Sequence, residues 1–421
     1  MSRFLFATWE GGGHVQPMLM AARGLEAAGH ATLTLSDACN APEATAIGVP
    51  FQAWRTAPSR QDRSPQTDPI KDWLAKTPLE TIRGLTDGLM CGPAARYAAD
   101  ALAAIEAFRP DVVVTQELLF GVMAAAERAG LPLALFVANV WPFPTLREAP
   151  PFGGGLPAPA TEFDFTFYGS VMAATRTAFQ AGLPALNAAR ESIGLTPLAD
   201  LFDQLAIARQ VLLATSRAFD FDLALPDPFV HVGPYLADPV WAPDWTPPWQ
   251  PSGPPMVLAS FSTMYQGQDT ALRHTIEAMG ALDVRGIVTL GPVLEPVDFP
   301  APDNVVVTRA APHSRLFPIL SAVVTHAGHA SALRPLMAGL PLVCIPLGRD
   351  QADNAARVTG RGAGLRLLPD ASASDIASAI ETVIGEPSYR AAAAALGSRI
   401  TADADARSAE RELIALVGAE P

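Results

Sequence analysis

The 421-residue sequence has few cysteines, fewer basic than acidic residues and no long apolar run. Its three cysteines (Cys39, Cys91 and Cys344) follow no disulfide or metal-ligand spacing, which predicts reduced thiols. A net charge of −13 argues against nucleic acid or an anionic membrane as a partner. No apolar run reaches the roughly 18 residues that a membrane span requires. The apolar run at the start of the sequence ends at a glycine-rich turn, whereas a signal peptide would continue as an apolar segment. We therefore expect a cytoplasmic protein without a membrane span.

Strand and helix patterns alternate in both halves of the chain. Residues 4–8 form an apolar run, residues 18–28 repeat apolar side chains at helical spacing, and residues 31–35 form a second apolar run. This β-α-β order predicts a parallel sheet covered by helices. The alternation resumes at residue 256, so we predict an α/β protein with two domains and a cleft between them.

A proline-rich stretch separates the two halves. Residues 237–255 contain seven prolines and three tryptophans, a composition that cannot continue a helix or a central strand. The tryptophans are Trp241, Trp245 and Trp249. We predict an extended linker whose tryptophans pack against a domain rather than bind a ligand.

Residues 67–108 show helical periodicity and predict further core positions. The candidates are Leu74, Leu79, Ile82, Leu85 and Leu89. Residues 142–159 are rich in proline and glycine, which predicts a long loop of the kind that often binds ligands.

The turn after the first strand presents an imidazole. Gly11, Gly12 and Gly13 do not form a dinucleotide fingerprint, because that motif requires a third glycine where this chain has Gln16. A nicotinamide-dependent oxidoreductase is disfavoured for this reason. The turn places His14 at the carboxyl end of a parallel strand, where such sheets bind ligands. The competing interpretation is a structural or merely exposed histidine.

Two turns in the second half carry polar groups at strand ends. The stretch from His326 to Ser331 follows an apolar strand and precedes a helix, which predicts a phosphate cradle that needs no metal. Asp350 and Gln351 follow another strand and offer donors and acceptors suited to sugar hydroxyls. Asp350 alternatively caps the helix that follows it.

These motifs resemble one enzyme family. Residues 325–364 (THAGHASALRPLMAGLPLVCIPLGRDQADNAARVTGRGAG) are similar to the donor-binding segment of the inverting GT-B glycosyltransferases of the UDP-glycosyltransferase-like family. That family includes bacterial natural-product (macrolide-type) glycosyltransferases. Residues 11–17 (GGGHVQP) are similar to its acceptor-side histidine loop. The resemblance implies two Rossmann-like domains facing a cleft: an acceptor domain over 1–236 and a donor domain over 256–402. It also implies that a helix within 403–421 packs back on the first domain.

The resemblance further implies a role for each matching residue. His14 would be the general base for a sugar transferred with inversion from UDP or dTDP, without a metal or cofactor. Gln116 stands where the family places an aspartate beside that histidine, so Glu117 is the candidate partner. Without it, either His14 would act as a weaker base or an acidic acceptor would need little help from a base. The implied donor-binding residues are Ser262, Thr263, Ala311, His313, His326, Gly328, Ser331, Asp350 and Gln351. His329 either hydrogen-bonds at the helix N-terminus or contacts phosphate directly.

Two departures concern the nucleotide. Arg334 stands where many UDP-sugar users carry a glutamate that reaches the ribose, which leaves dTDP as a competitor of UDP. The nucleobase segment has Ala310 and His313 where the family usually has tryptophan and glutamine.

Aromatic residues in the first half predict a small, largely apolar acceptor, such as an aromatic or polyketide-like compound. The candidates for its walls are Trp9, Trp54, Phe120, Trp141, Phe143, Phe152, Phe163, Phe165, Phe167 and Tyr168. Two alternatives stay open at this point. One is a nucleotide-sugar-binding protein that has lost catalysis, and the other is a sugar-nucleotide epimerase of the same fold. Both a monomer and a homodimer fit the sequence.

Overall fold

The computed structural model describes residues 1–238, 244–250, 252–406 and 408–418. Trp241 lies outside the described residues. The strands are β1 (Arg3–Ala7), β2 (Ala31–Ser36), β3 (Phe51–Ala53), β4 (Val112–Thr115), β5 (Leu133–Val137), β6 (Gln210–Leu213), β7 (Phe229–His231), β8 (Met256–Ser260), β9 (Arg285–Thr289), β10 (Val305–Thr308), β11 (Ala322–Thr325), β12 (Leu342–Cys344) and β13 (Gly364–Arg366).

The helices connect these strands. They are α1 (Val15–Ala27), α2 (Ala41–Ile47), α3 (Pro78–Leu85), α4 (Ala94–Phe108), α5 (Phe120–Ala129), α6 (Glu162–Phe179), α7 (Leu183–Ser192), α8 (Asp269–Gly280), α9 (His313–Leu316), α10 (His329–Met337), α11 (Gln351–Gly360), α12 (Ala373–Gly385), α13 (Pro387–Ala406) and α14 (Ala409–Ala415). None of the described helices is long and apolar enough to cross a membrane.

The strands form two parallel sheets. The first has the order β3-β2-β1-β4-β5-β6-β7 and the second the order β10-β9-β8-β11-β12-β13. Phe4 of β1 pairs with Thr32 on one side and Val112 on the other. Helices cover both faces, so β1 side chains such as Phe4, Leu5 and Phe6 are fully buried. The predicted α/β fold with two parallel-sheet domains is confirmed.

The C-terminal segment contacts both halves. Helix α13 packs on α10 of the second half through Ala393 and Leu396. Helix α14 returns to the first half, where Leu413 joins the apolar cluster that covers α1. The Tyr235 hydroxyl donates to Glu410 over 2.6 Å, which attaches the start of α14 to the first half.

The structure corrects two predicted core positions. Leu74 is 66% exposed and Leu79 is 46% exposed, whereas Leu89 is fully buried. The apolar pattern of this region does not belong to one helix, because a short turn at Asp72–Leu74 and the new start of α3 rotate the faces of successive segments. The prediction assumed one continuous helix and therefore placed these two leucines on the buried face.

The linker tryptophans that the structure describes pack against protein. Trp245 and Trp249 are half-buried against the apolar cluster of the second half that contains Met256 and Phe317. The packing interpretation is confirmed for these two side chains.

Candidate active site

A cavity lies between the two halves at the carboxyl ends of their strands. It encloses about 320 Å³ and is lined by residues of both sheets. All of the candidate site residues predicted from the sequence line it: His14, Glu117, Ser262, Thr263, Ala311, His313, His326, Gly328, His329, Ser331, Asp350 and Gln351. The topology therefore brings together residues that are more than three hundred positions apart, such as His14 and Gln351, because parallel strands end at one edge of each sheet.

The glycine loop after β1 presents His14 to the cavity. Gly12 has φ +82°, a left-handed conformation that a side chain would strain, and its N–H donates to Glu10 Oε1 over 2.9 Å. The loop ends at His14, directly before α1, and the imidazole stacks on Trp9 with ring centroids 6.2 Å apart. His14 Nδ1 is buried and has no hydrogen-bond partner. Burial, followed by the charge of Arg349, lowers the pKa of His14 to about 4, so the imidazole is neutral and can accept a proton.

Glu117 lies in the same cavity, just beyond β4. Its side chain is buried, and Oε2 has no hydrogen-bond partner. Burial, with a smaller contribution from the Asp350 carboxylate on the other side of the cleft, raises the pKa of Glu117 to about 7. Gln116 is not among the residues that line the cavity, and its side-chain oxygen accepts from the backbone N–H of Trp9 over 3.4 Å. A buried carboxyl oxygen without a partner thus lines the same cavity as an imidazole nitrogen without one.

A strained turn starts helix α10. Ala327, between β11 and the helix, has φ +64°, and Asn354 Nδ2 fixes the turn by donating to the Ala327 carbonyl over 3.0 Å. The residues from Gly328 to Ser331 line the cavity at the N-terminus of α10, which is an anion-binding position.

The two histidines of this turn have different surroundings. His326 stacks on Phe261 with ring centroids 6.3 Å apart, and burial lowers its pKa to about 4. His329 Nε2 lies 2.8 Å from the Thr215 hydroxyl, which belongs to the first half of the chain. The His329 imidazole is thereby engaged in a contact between the halves, and its backbone belongs to the helix N-terminus.

The loop before α11 carries Asp350 and Gln351. Asp350 occupies the N-cap position, but its side chain makes no capping hydrogen bond and accepts instead from Asn354 Nδ2 over 2.8 Å. The Gln351 amide accepts from the Leu347 N–H over 2.7 Å and donates to Gln266. Gln351 therefore shapes its own loop, whereas the Asp350 carboxylate faces the cavity.

The opposite end of the cavity contains Arg334 and His313. His313 Nε2 lies 3.1 Å from the Thr289 hydroxyl. The Arg334 guanidinium pairs with Asp238, which also accepts from the Ser314 hydroxyl, and lies 5.6 Å from the centre of the Phe317 ring. Both oxygens of the Asp238 carboxylate are thus engaged by protein groups.

A curated relative decides the family. The chain is 30% identical to 4'-demethylrebeccamycin synthase of Lentzea aerocolonigenes over 94% of each protein. It belongs to the GT-B glycosyltransferases of the UDP-glycosyltransferase-like family. The family profile described as UDP-glucoronosyl and UDP-glucosyl transferase matches residues 302–411 of this glycosyltransferase.

Solved structures agree on the fold. The kitacinnamycin glycotransferase has a TM-score of 0.75 and 20% identity, with 99% of this chain and 98% of that one covered. SsfS6, a Streptomyces sp. SF2575 glycosyltransferase complexed with thymidine diphosphate, has a TM-score of 0.65 and 20% identity, with coverages of 96% and 98%.

The glycosyltransferase uses few of the predicted aromatic residues as cavity walls. Trp9 and Phe152 line the cavity. Four others belong to the apolar core of the first half: Trp54, Phe120, Trp141 and Phe143. Tyr168 is buried beside the Pro157 carbonyl, to which its hydroxyl donates over 3.1 Å. Helix α6 turns three more toward solvent: Phe163, Phe165 and Phe167. Aromatic composition alone therefore overestimated the number of aromatic residues that line the cavity.

Two oppositely charged residues are among the cavity residues of the glycosyltransferase that were missed in the sequence. Arg349 precedes Asp350 and pairs with Asp72 of the first half, with Nε and Oδ2 2.6 Å apart. The one feature of the sequence that could have indicated Arg349 is its position directly before the Asp350–Gln351 motif. Asp72 lies in a short turn whose sequence carries no such signal.

Proposed function

We propose that this glycosyltransferase moves a sugar, with inversion, from a UDP- or dTDP-sugar to a hydroxyl of a small, largely apolar acceptor. The observation that carries the proposal is the shared cavity. It holds a neutral imidazole from the first half opposite a helix N-terminus from the second. A base and an anion site on facing walls suit a displacement in which a proton leaves one reactant and a diphosphate leaves the other.

His14 is the proposed base. As the acceptor oxygen bonds to the anomeric carbon, its proton passes to the imidazole and the bond from that carbon to the diphosphate oxygen breaks on the opposite face. Glu117 is the proposed partner of His14, because its buried Oε2 has no hydrogen-bond partner and an ionised carboxylate in the same cavity would stabilise the imidazolium that forms.

The start of α10 is the proposed diphosphate site. Backbone amides there, with the Ser331 hydroxyl, His326 and the loop at Ser262 and Thr263, would stabilise the negative charge that develops on the leaving group. These donors are supplied by the chain itself, so the proposed step calls for no metal or cofactor. Asp350, which lines the same cavity, is the proposed acceptor of hydrogen bonds from the sugar hydroxyls.

Arg334 favours a donor without a ribose 2'-hydroxyl. Arg334 offers only donors, and the neighbouring Asp238 carboxylate is engaged by Arg334 and Ser314. A ribose hydroxyl would therefore find no free carboxylate there. The SsfS6 complex with thymidine diphosphate is consistent with a deoxyribonucleotide in this fold.

The acceptor end of the cavity supports a compact apolar compound. Its walls include Trp9, Ile70, Leu85, Leu118 and Phe152. The rebeccamycin relative, named for a natural product, fits an acceptor of that kind.

The test is transfer by the purified protein. UDP- and dTDP-sugars are offered with a panel of aromatic and polyketide-like alcohols, and products are followed by mass spectrometry. We expect a glycoside whose anomeric configuration is opposite to that of the donor, and its loss by about 10²-fold or more in His14→Gln. Conversion of the donor without an acceptor would favour an epimerase, and nucleotide binding without turnover would favour a degenerate binding protein.

A further inference from the structure

The base and the donor site belong to different halves of the chain. Their separation is therefore set by contacts that cross the cleft near His14. Arg349 and Asp72 make such a contact: guanidinium Nε and Nη2 lie 2.6 and 3.1 Å from the two carboxylate oxygens of Asp72. The side chains are only 19% and 13% exposed, and both line the cavity. This bidentate geometry fixes orientation as well as distance.

The segment that carries Asp72 is anchored by contacts within its own half and by one contact to the second half. The buried Arg60 pairs with Asp68 over 3.4 Å, and the Asp68 carboxylate accepts from the Ile70 N–H over 2.9 Å. One residue beyond Asp72, Trp73 packs edge-on against Tyr265 of the second half, with ring centroids 5.5 Å apart. Asp72 thus offers a fixed carboxylate to the donor-binding half.

Arg349 also contacts the loop that presents His14. Its backbone is left-handed, with φ +55°, and its Nη1 lies 3.4 Å from the Gly11 carbonyl oxygen and 3.7 Å from the Met264 sulfur. That sulfur in turn lies 3.1 Å from the position that a Cβ atom on Gly12 would take. One guanidinium therefore touches the aspartate, the glycine loop and a residue of the donor-binding half.

We propose that Arg349 is a positioning residue for His14, which holds the glycine loop in register with the donor-binding half through its contacts with Asp72 and Gly11. This inference rests on the proposed role of His14 as the base. A transfer between substrates held by separate halves is sensitive to displacements of about 1 Å, which can cost about 10²-fold in rate. A contact at this point controls that displacement directly.

The same guanidinium affects the charge state of His14. Burial lowers the pKa of His14 most, and Arg349 lowers it further. His329 at the start of α10 also interacts electrostatically with His14. Other titratable groups that line the same cavity include Glu10 in the His14 loop, Glu117 after β4, His326 after β11 and Asp350 before α11. Loss of Arg349 is therefore expected to raise the pKa of His14 without restoring its ordinary value.

The test compares Arg349→Gln, Arg349→Lys and a control that also removes a contact between the halves. Arg366 is exposed and donates to the Gly155 carbonyl over 2.8 Å, away from the cavity, so Arg366→Gln is the matched control. We expect Arg349→Gln to lower kcat by about 10- to 100-fold with little change in the KM of the donor. Arg349→Lys recovers part of that loss, and Arg366→Gln leaves kcat within about twofold of the wild type.

Two outcomes separate this inference from the proposed function. If His14→Gln abolishes transfer but Arg349→Gln matches the wild type or the Arg366→Gln control, the positioning role is wrong and the proposed function stands. If the wild type transfers no sugar, the proposed function fails. NMR titration of the His14 ring then still tests whether Arg349 acts on the His14 loop. An upward shift of the His14 pKa in Arg349→Gln supports that action, and an unchanged titration overturns it.

Discussion

The imidazole of His329 and the hydroxyl of Thr215 lie 2.8 Å apart, although 114 residues separate them in the chain. Thr215 follows the last long strand of the first sheet, and His329 opens the helix proposed to bind the diphosphate. Both side chains are buried, and burial lowers the pKa of His329 to about 3. A neutral imidazole therefore ties the proposed diphosphate site to the first half of the chain.

Thr215→Val should destabilise the protein. The substitution keeps the shape and removes the hydroxyl, which leaves His329 Nε2 buried without a partner at a cost of about 1–3 kcal/mol. Urea unfolding followed by fluorescence measures the change. Thr382→Val serves as control, because the exposed Thr382 hydroxyl bonds only within its own helix and its loss should cost less than about 0.5 kcal/mol. Equal stability of the two variants would mean that the contact between the halves contributes nothing.

The pH profile of kcat/KM should separate His14 from Glu117. Burial raises the pKa of Glu117 to about 7 and lowers that of His14 to about 4. If the ionised carboxylate assists the base, kcat/KM falls as the pH drops through about 7. In Glu117→Gln we expect a lower plateau that stays flat until the pH approaches about 4, where His14 takes up its proton. Identical profiles in both proteins would show that Glu117 does not act with His14.

A buried ion pair between the two halves should control stability. Asp220 pairs with Arg357 over 2.7 Å, and both side chains are more than nine-tenths buried. Burial alone would raise the pKa of Asp220, but Arg357 and His231 outweigh it and hold that pKa below its usual range. The depressed pKa means that this stabilisation is present above the unfolded aspartate pKa of about 3.9 and is lost as the pH falls further.

Removal of one partner of the Asp220–Arg357 pair should show how much the pair contributes to the free energy of unfolding. Asp220→Asn leaves Arg357 buried without its counterion, which we expect to cost about 3–5 kcal/mol in urea unfolding. Asp222→Asn is the matched control, because the Asp222–Arg217 pair is 3.5 Å long and largely exposed. A loss of similar size in both variants would contradict the importance assigned to the buried pair.

Arg334 should set the preference between donor nucleotides. Arg334→Glu supplies a carboxylate where this chain has a guanidinium, and Asp238→Asn in the same protein removes the repulsion that would follow. One new hydrogen bond to a ribose hydroxyl should raise the ratio of kcat/KM for a UDP-sugar over the matching dTDP-sugar by about tenfold. Asp238→Asn alone is the control. An unchanged ratio in the double variant would remove Arg334 from nucleotide selection.

The sequence predicted the parts of the fold and site that depend on local order. Apolar runs that alternate with helical periods predict parallel strands, and polar residues just after those runs, such as His14 and Asp350, must meet at the sheet edges. Leu74 and Leu79 were wrongly predicted to be core residues, because the helical spacing of apolar residues was assumed to continue through the short turn at residues 72–74. Contacts between halves, such as Arg349 with Asp72 across 277 residues, depend on how the domains face each other and leave no local pattern.

The central claim is inverting transfer that depends on His14, and one measurement tests it most directly. The purified wild type and His14→Gln are each incubated with an α-linked dTDP-sugar and an aromatic alcohol, and the anomeric coupling of the product is measured by NMR. The account predicts a β-glycoside from the wild type and almost none from His14→Gln, with nucleotide binding intact in both. An α-glycoside, or equal turnover by the two proteins, would contradict it.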